Sequence, residues 1–321
     1  MPLPEPDGRP EILVLRAIKL GDLLVAVPAL HAIHRARPEA RILLATTGWL
    51  APLVELIDGV DVHLPQQGLD HAIAIAPGRV RTVVDLHGNR PLSTDLLDAL
   101  LPDERIGFRW EPDGKPHWDG PEWVDGIHER DRWAAVPTWH GMPADPDEVW
   151  INSPGPSADP GAAVIHVGAA YGSRYWPSDR FATVARRLER DGLRVVLTGG
   201  ESERNRALEV AEAAGLADDR VLAGRAGLKE FAATIADARV LVTVDTGAAH
   251  LASAFRTPSV VLFGPSPVEE WGPPPGPHLV LTDASLRVGD SFGSDPDPAL
   301  LAVSAAEVLA AVAQLSESSG H

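Results

Sequence analysis

The sequence predicts an α/β protein built from two Rossmann-like halves, and three observations carry that prediction. Its 321 residues exceed the roughly 100–200 residues of one domain. Two stretches alternate compact apolar runs with amphipathic segments, the pattern of a parallel sheet covered by helices. A Pro- and Trp-rich stretch without clear periodicity lies between them, which suggests domains at 1–155 and 156–321.

In the first half, Ile12–Arg16 (ILVLR) reads as a strand, followed by a loop to Gly21-Asp22. Leu23, Leu24, Val27, Leu30 and Ile33 then recur at helical spacing, with Pro28 restricted to a first turn or a kink. Arg41–Thr46 is a second strand and Trp49–Leu56 a helix; Val60–Leu64, Thr82–Leu86 and Arg105–Phe108 are further strand candidates. Between residues 111 and 147 prolines and glycines are too dense for a continuous helix or central strand, so this excursion reads as a cap on the first domain. Trp118, Trp123, Trp133 and Trp139 fall there, with Trp110 at its edge, as a satellite core or an aromatic binding wall. Asn152–Gly161 reads as the linker.

The second half begins with the strand Ala163–Val167 and a helix capped by Ser178 that carries Phe181, Val184, Ala185 and Leu188. Leu193–Thr198, Arg220–Ala223, Val240–Val244 and Ser259–Phe263 read as strands. Glu203–Ala214, Leu228–Ala238 and Ala248–Ala254 read as the helices between them. Ser304–Gln314 is an Ala-rich helix, and Glu317–His321 is expected to fray.

Composition narrows the function. A net charge of -17, divided as 14 basic against 24 acidic residues up to position 155 (net -10) and 14 against 21 beyond it (net -7), disfavours nucleic acid and anionic membrane surfaces. With no cysteine, thiolate nucleophiles, iron–sulfur clusters and cysteine zinc sites are excluded. No segment has signal-peptide character or the ~18–20 apolar residues of a membrane span, so the expected location is cytoplasmic. Nor is there a GxxxxGK[ST] loop, a strand-GxGxxG-helix fingerprint, an HExxH helix or a GxSxG elbow.

What remains is a set of strand-to-helix junctions. In VLVTVDTGAAH a buried strand runs into Asp245-Thr246-Gly247, which opens a helix with Ala248 and, one turn in, His250. First-turn N–H groups and the helix dipole make this an anion site suited to a diphosphate, although Asp245 is also a possible N-cap and His250 a turn-stiffening residue. GAAYGSRYWP supplies Gly168, Ala169, Ala170 and the cation Arg174, suited to charge on a leaving diphosphate or else part of a surface loop. Gly199-Gly200 with Glu203 forms a third junction, with carboxylates able to accept from ribose hydroxyls. In the first half, Gly21-Asp22 follows a strand, placing a carboxylate as a helix cap or a general base.

Read in order, ILVLRAIKLGDLLVAVPAL, VVDLHGNRPLS, VIHVGAAYGSRYWPSDRFATVARRL, VVLTGGESER and LVTVDTGAAHLASAFRTPSVVLFGPS resemble the family 9 glycosyltransferases, the ADP-heptose heptosyltransferases. The resemblance implies the GT-B fold, two Rossmann-like domains with parallel sheets facing across a central cleft, and inverting transfer from an ADP-sugar. It makes Asp22 the catalytic base, with Gly21, His87 and Arg90 on the acceptor side. It puts Asp245, Thr246, Gly247, Ala248 and His250 on diphosphate and sugar, Glu203 on ribose, and the backbone near Ala226 on adenine. Arg174 stands where the family usually has a lysine, and Gly168-Ala169-Ala170 lacks the hydroxyls of some members. No metal or resident cofactor is expected, the ADP-sugar being a co-substrate. Because the first domain is acidic, the expected acceptor is a soluble, uncharged or cationic small molecule, with a lipopolysaccharide core as the alternative. Arg79, Arg81, Arg90, Arg105, Arg109, Arg130 and Arg132 decide this if they cluster. Two other readings are a non-catalytic nucleotide-sugar binding module, opposed by the intact Gly21-Asp22, and a Rossmann-fold epimerase or sugar-phosphate enzyme, opposed by the missing GxGxxG.

Overall fold

A computed structural model describes residues 5–115 and 117–318, which divide into two compact units, 1–152 and 153–321. Unit 1 contains a five-stranded parallel sheet: β1 (Glu11–Leu15), β2 (Arg41–Thr46), β3 (Val62–Pro65), β4 (Thr82–Asp85) and β5 (Glu104–Ile106), in the order β3-β2-β1-β4-β5. Unit 2 repeats the plan with β6 (Ala163–His166), β7 (Val195–Thr198), β8 (Val240–Val244), β9 (Ser259–Leu262) and β10 (His278–Leu281), ordered β10-β9-β8-β6-β7. All pairings are parallel. The strand C-terminal ends of each sheet therefore share one edge, and the order reverses between β1 and β4 in unit 1 and between β6 and β8 in unit 2. Open α/β sheets bind ligands at such reversals.

Central strands are buried on both faces, which accounts for their unbroken apolar text: every residue of β1, β2, β8 and β9 is buried. Of the edge strands, β3, β5 and β10 are mixed while β7 is buried throughout, and β10, half-buried along its length, went unread in the sequence for that reason. Unit 2 packs Trp176, Phe181, Val184 and Leu188 against Val308, Val312 and Leu315 of the last helix, over the face lined by Ile165 and Val242.

Several expectations need correction. The excursion is not devoid of helix: Glu129–Trp139 is helical, with Pro137 in its last turn, where a missing N–H removes one late hydrogen bond. Its Trp133, Val136 and Arg132 are buried, and it packs against the helix Val27–Ala36. Of the tryptophans, Trp118 and Trp133 are buried, as the satellite-core reading requires, while Trp123 and Trp139 are exposed. Helix begins at Leu20, so Gly21 and Asp22 lie inside a first turn, and the chain restarts as Val27–Ala36 with Pro28 at its beginning. Trp49–Leu56 shortens to a 3₁₀ turn, Gly48–Leu50, and one α-turn, Ala51–Val54. A further helix, Leu92–Asp98, follows β4.

Ser178 is the first helical residue and not the cap, a position taken by extended Pro177. Residues 220–223 form a 3₁₀ end and a single bridge from Val221 to Leu197, because the chain turns to start the helix Leu228–Ala236. The last helix runs Ala305–Ser318, so Glu317 is helical, and the rest of the expected frayed tail, 319–321, lies outside the described residues.

Candidate active site

In unit 1 the chain leaves β1 at Leu15 and turns within four residues into the short helix Leu20–Leu24. Asp22 sits in its first turn, where its Oδ2 accepts from the Lys19 backbone N–H at 3.3 Å. The cap reading of Asp22 is thus realised, and the carboxylate is still 24% exposed, leaving lone pairs open to solvent. The buried guanidinium of Arg16 donates through Nε to the Asp22 carbonyl at 2.8 Å, and its Nη2 lies 3.9 Å from Asp22 Oδ1. Burial lowers the pKa of Arg16, opposed by the carboxylates of Asp22, Glu129 and Asp85.

Across the strand reversal, Asp85 ends β4 and is buried. Its Oδ1 accepts from the N–H groups of His87 (2.8 Å) and Gly88 (3.2 Å), and its Oδ2 accepts from Ser93 Oγ at 2.7 Å. That aspartate turn fixes the loop carrying His87 and Arg90. Gly88 has a φ of +78°, and a Cβ there would lie 2.9 Å from the Trp133 ring and 3.0 Å from Trp123, so only glycine fits. His87 is held below the usual imidazole range by burial, partly offset by Asp85. Arg90 donates to the Arg109 carbonyl and stacks 5.4 Å from the Trp110 centroid. The structure thus groups Gly21, Asp22, His87 and Arg90 around one reversal, with Trp133 of the excursion and with Arg16 and Asp85, which sequence reasoning missed.

Six of the seven N-terminal arginines singled out for a basic patch are paired instead. Arg79 meets Glu11, Arg81 Asp103, Arg105 Asp98, Arg109 Glu111, Arg130 Asp147 and Arg132 Glu129.

In unit 2 the loop after β6 passes Gly168, Ala169 and Ala170 into a 3₁₀ turn, Gly172–Arg174. Arg174 reaches the loop after β8: Nη1 donates to the Asp245 carbonyl at 3.2 Å and stands 3.5 Å from Asp245 Oδ2, while Nη2 donates to Ser266 Oγ at 3.1 Å. The N-cap of the helix Gly247–Phe255 is Thr246, not Asp245, and no side chain caps it; Thr246 Oγ1 turns back to Thr243 Oγ1 at 3.3 Å. The N–H groups of Gly247 and Ala248 therefore have no intrahelical acceptor, the Ala249 N–H already donating to the Thr246 carbonyl at 3.0 Å, and they lie at the same sheet edge as Arg174. His250 follows, its ring 6.2 Å from that of Trp271.

The Gly199-Gly200 junction is bound to the Gly168 loop. Gly200 N–H donates to Glu203 Oε2 at 2.6 Å. A Cβ on Gly168 would lie 2.9 Å from His166 Nε2 and 3.4 Å from Glu203 Cδ, so these loops abut without room for a side chain. Gly224 N–H donates to the Gly199 carbonyl at 3.2 Å, which joins the turn bearing Ala226 to the glycine loop. His166, at the end of β6, pairs with Thr198 Oγ1 at 3.1 Å through Nδ1 and lies 5.2 Å from the Phe231 ring. Burial holds its pKa down at about 4, so the imidazole is neutral near pH 7. His166 was not singled out in the sequence; its signal was a titratable residue closing an otherwise apolar strand.

Among the described residues no group of three or more His, Cys, Asp or Glu side chains has metal-binding geometry, and no helix is long and apolar enough to cross a membrane.

Comparison with known proteins adds three findings. Residues 141–281 match the model of glycosyltransferase family 9 (heptosyltransferase). Over 112 residues the chain is 40% identical to lipopolysaccharide heptosyltransferase 1 of Pseudomonas aeruginosa, a match covering 34% of this chain and 31% of that protein. Such matches span about a third of the curated relatives. Among solved structures, Escherichia coli ADP-heptose lipopolysaccharide heptosyltransferase II superposes with a TM-score of 0.77 at 20% identity, covering 97% of this chain and 100% of the other. An E. coli heptosyltransferase solved with ADP gives 0.70 at 19%, covering 96% and 99%. At these identities the superpositions speak for the fold, and the sequence matches for the family. Residues 141–281 are accordingly a glycosyltransferase family 9 (heptosyltransferase) segment, set in a chain of GT-B fold.

Proposed function

We propose that the chain is an inverting heptosyltransferase that moves heptose from ADP-heptose to a sugar hydroxyl of a lipopolysaccharide core. The observation that carries this reading is the junction of Arg174 with Asp245 at the reversal of the unit 2 sheet, beside the uncapped N-terminus of Gly247–Phe255. A guanidinium and a row of N–H groups at one edge suit a diphosphate and the charge it gains on leaving. The matched relatives are named as lipopolysaccharide heptosyltransferases, which favours that acceptor over a soluble small molecule.

In this reaction Asp22 takes the proton of the acceptor hydroxyl, whose oxygen bonds to the anomeric carbon from the face opposite the leaving group. The bond from that carbon to the diphosphate oxygen breaks, and ADP departs with the electron pair. Glu203 and the backbone near Ala226 are proposed to hold ribose and adenine, and Thr246 and His250 the sugar and phosphates. In this account Arg174 and the helix N–H groups meet the leaving charge, so transfer proceeds with divalent metals chelated.

The test is calorimetric titration with ADP, UDP and GDP in chelator, followed by transfer from ADP-heptose to lipopolysaccharide lacking its heptose residues. ADP alone should bind, and Asp22→Asn should lower turnover by about 10²–10⁴-fold with ADP affinity nearly unchanged. Binding of UDP or GDP in place of ADP sinks the donor, and loss of ADP affinity with turnover intact makes Asp22 structural.

A second reading keeps the donor and replaces the acceptor with an uncharged soluble molecule. It is favoured by the pairing of six N-terminal arginines with carboxylates, which leaves them little field for a phosphorylated lipid. Transfer to soluble hydroxyl acceptors, with none to the heptose-deficient lipopolysaccharide, would decide for it.

A further inference from the structure

Arg16 presents a problem that the proposed reaction does not address. It is 2% exposed, and burying a guanidinium costs several kcal/mol unless its donors are met, so an apolar side chain of similar volume would fill the space at least as well. Its backbone is tied to β2, with N–H donating to the Ala45 carbonyl (2.9 Å) and C=O accepting from Thr46 Oγ1 (2.7 Å). From this anchor the side chain spans the reversal of the sheet: Nε donates to the Asp22 carbonyl at 2.8 Å and Nη1 to the Leu86 carbonyl at 2.5 Å. Its Nη2 stands 3.9 Å from Asp22 Oδ1. The face of the guanidinium lies 4.1 Å from the Trp133 ring centroid. Trp133 is itself held by Nε1 donating to Glu129 Oε2 at 2.8 Å.

We infer that Arg16 is the positioning residue of Asp22, with Glu129 and Trp133 of the tryptophan-rich excursion as the wall that holds it in place. This rests on Asp22 being the base. A helix of five residues, Leu20–Leu24, is marginal by itself, and a bond as long as 3.3 Å from the Lys19 N–H is a weak hold on the Asp22 carboxylate. The planar fork of Arg16 sets the carbonyls of residues 22 and 86 at a fixed separation, and so sets the helix turn against the loop that carries His87. Displacing a reacting group by about 1 Å costs about 10²-fold in rate, which is the scale of the effect.

The experiment is a double-mutant cycle in the full chain with Arg16→Met, Arg16→Lys, Asp22→Asn and Arg16→Met/Asp22→Asn. ADP release from ADP-heptose is read with heptose-deficient lipopolysaccharide and with water as acceptor, together with KM for ADP-heptose and the calorimetric affinity for ADP. Arg16→Met should lower kcat by about 10–100-fold. KM and ADP affinity should stay within about twofold, and in the Asp22→Asn background the same change should cost no more than about twofold. Arg16→Lys, which keeps a charge and one carbonyl bond, should fall between parent and Met; if the Met variant does not fold, the Lys variant in both backgrounds carries the comparison. Losses that multiply in the double variant overturn the inference. So does an Arg16→Met enzyme turning over at the parental rate beside a crippled Asp22→Asn, while the functional reading stands. An Asp22→Asn enzyme at parental turnover overturns the base assignment, and this inference with it.

Discussion

The two sheets reverse strand order at equivalent places, and each places an arginine across the reversal, but the two arginines are of different kinds. Arg16 in unit 1 is 2% exposed and grips two backbone carbonyls under a tryptophan face. Arg174 in unit 2 keeps 23% of its side chain exposed and is held by the carboxylate and the backbone carbonyl of Asp245 and by the Ser266 hydroxyl. A buried guanidinium committed to carbonyls acts on the chain itself. One resting on a carboxylate at an open edge can turn toward an incoming anion, because a phosphate offers the same charge and the same paired oxygens. The strand ends differ in the same sense: β1 runs into a cation, whereas β6 ends in a neutral imidazole.

Three measurements would break or sharpen this contrast. The largest effect is expected at Arg174. Arg174→Ala should weaken ADP by about 10–100-fold, the worth of one or two charged hydrogen bonds, while changing adenosine affinity little. It also strands buried Asp245 without its cation, so unit 2 should lose stability. Adding Asp245→Asn should restore the melting temperature and not the ADP affinity. Recovery of both would make Arg174 as structural as Arg16.

Next is the pH response of His166. Its folded pKa of about 4 lies below the ordinary 6.5, so between these values the unfolded chain binds more protons and stability falls as pH falls. Comparing the parent with His166→Gln by denaturant unfolding, the parent should lose about 1–3 kcal/mol more between pH 7 and pH 4, discounted because the residue keeps some solvent exposure. Parallel curves would mean that the imidazole accepts its proton freely in the fold. The smallest effect belongs to Ser266→Ala, which removes one neutral partner of Arg174. ADP affinity should change by about two- to tenfold in either direction, upward if Ser266 restrains the guanidinium and downward if it aims it. A change smaller than twofold would mean that Asp245 alone sets the fork.

How far the sequence could be read follows from the range of each interaction. Gly21, Asp22, Asp245 and Gly247 stood out because each lies where an apolar run meets a helical one, a signal contained in about ten residues. Arg16 did not, since at the end of ILVLR it reads as the charge that closes a strand, and its partner Leu86 is 70 residues away. The helix Glu129–Trp139 was hidden by Pro137 and by a pattern in which two arginines, Arg130 and Arg132, are buried beside Trp133. Amphipathic periodicity assumes that charges face water, and here they face carboxylates and aromatic rings.

By itself the sequence determined the two parallel sheets, the alternation that builds them and the strand-end loops that carry the candidate site residues. Each of these depends on the local periodicity of apolar residues and on glycines at turns. The tertiary structure alone decided that Arg16 meets Asp22 and Arg174 meets Asp245, that six arginines are neutralised, and that the tryptophans split between core and surface. Those outcomes depend on which distant charges and rings the parallel crossovers bring within a few ångströms, and Coulomb and hydrogen-bond energies at that range carry no periodic trace along the chain.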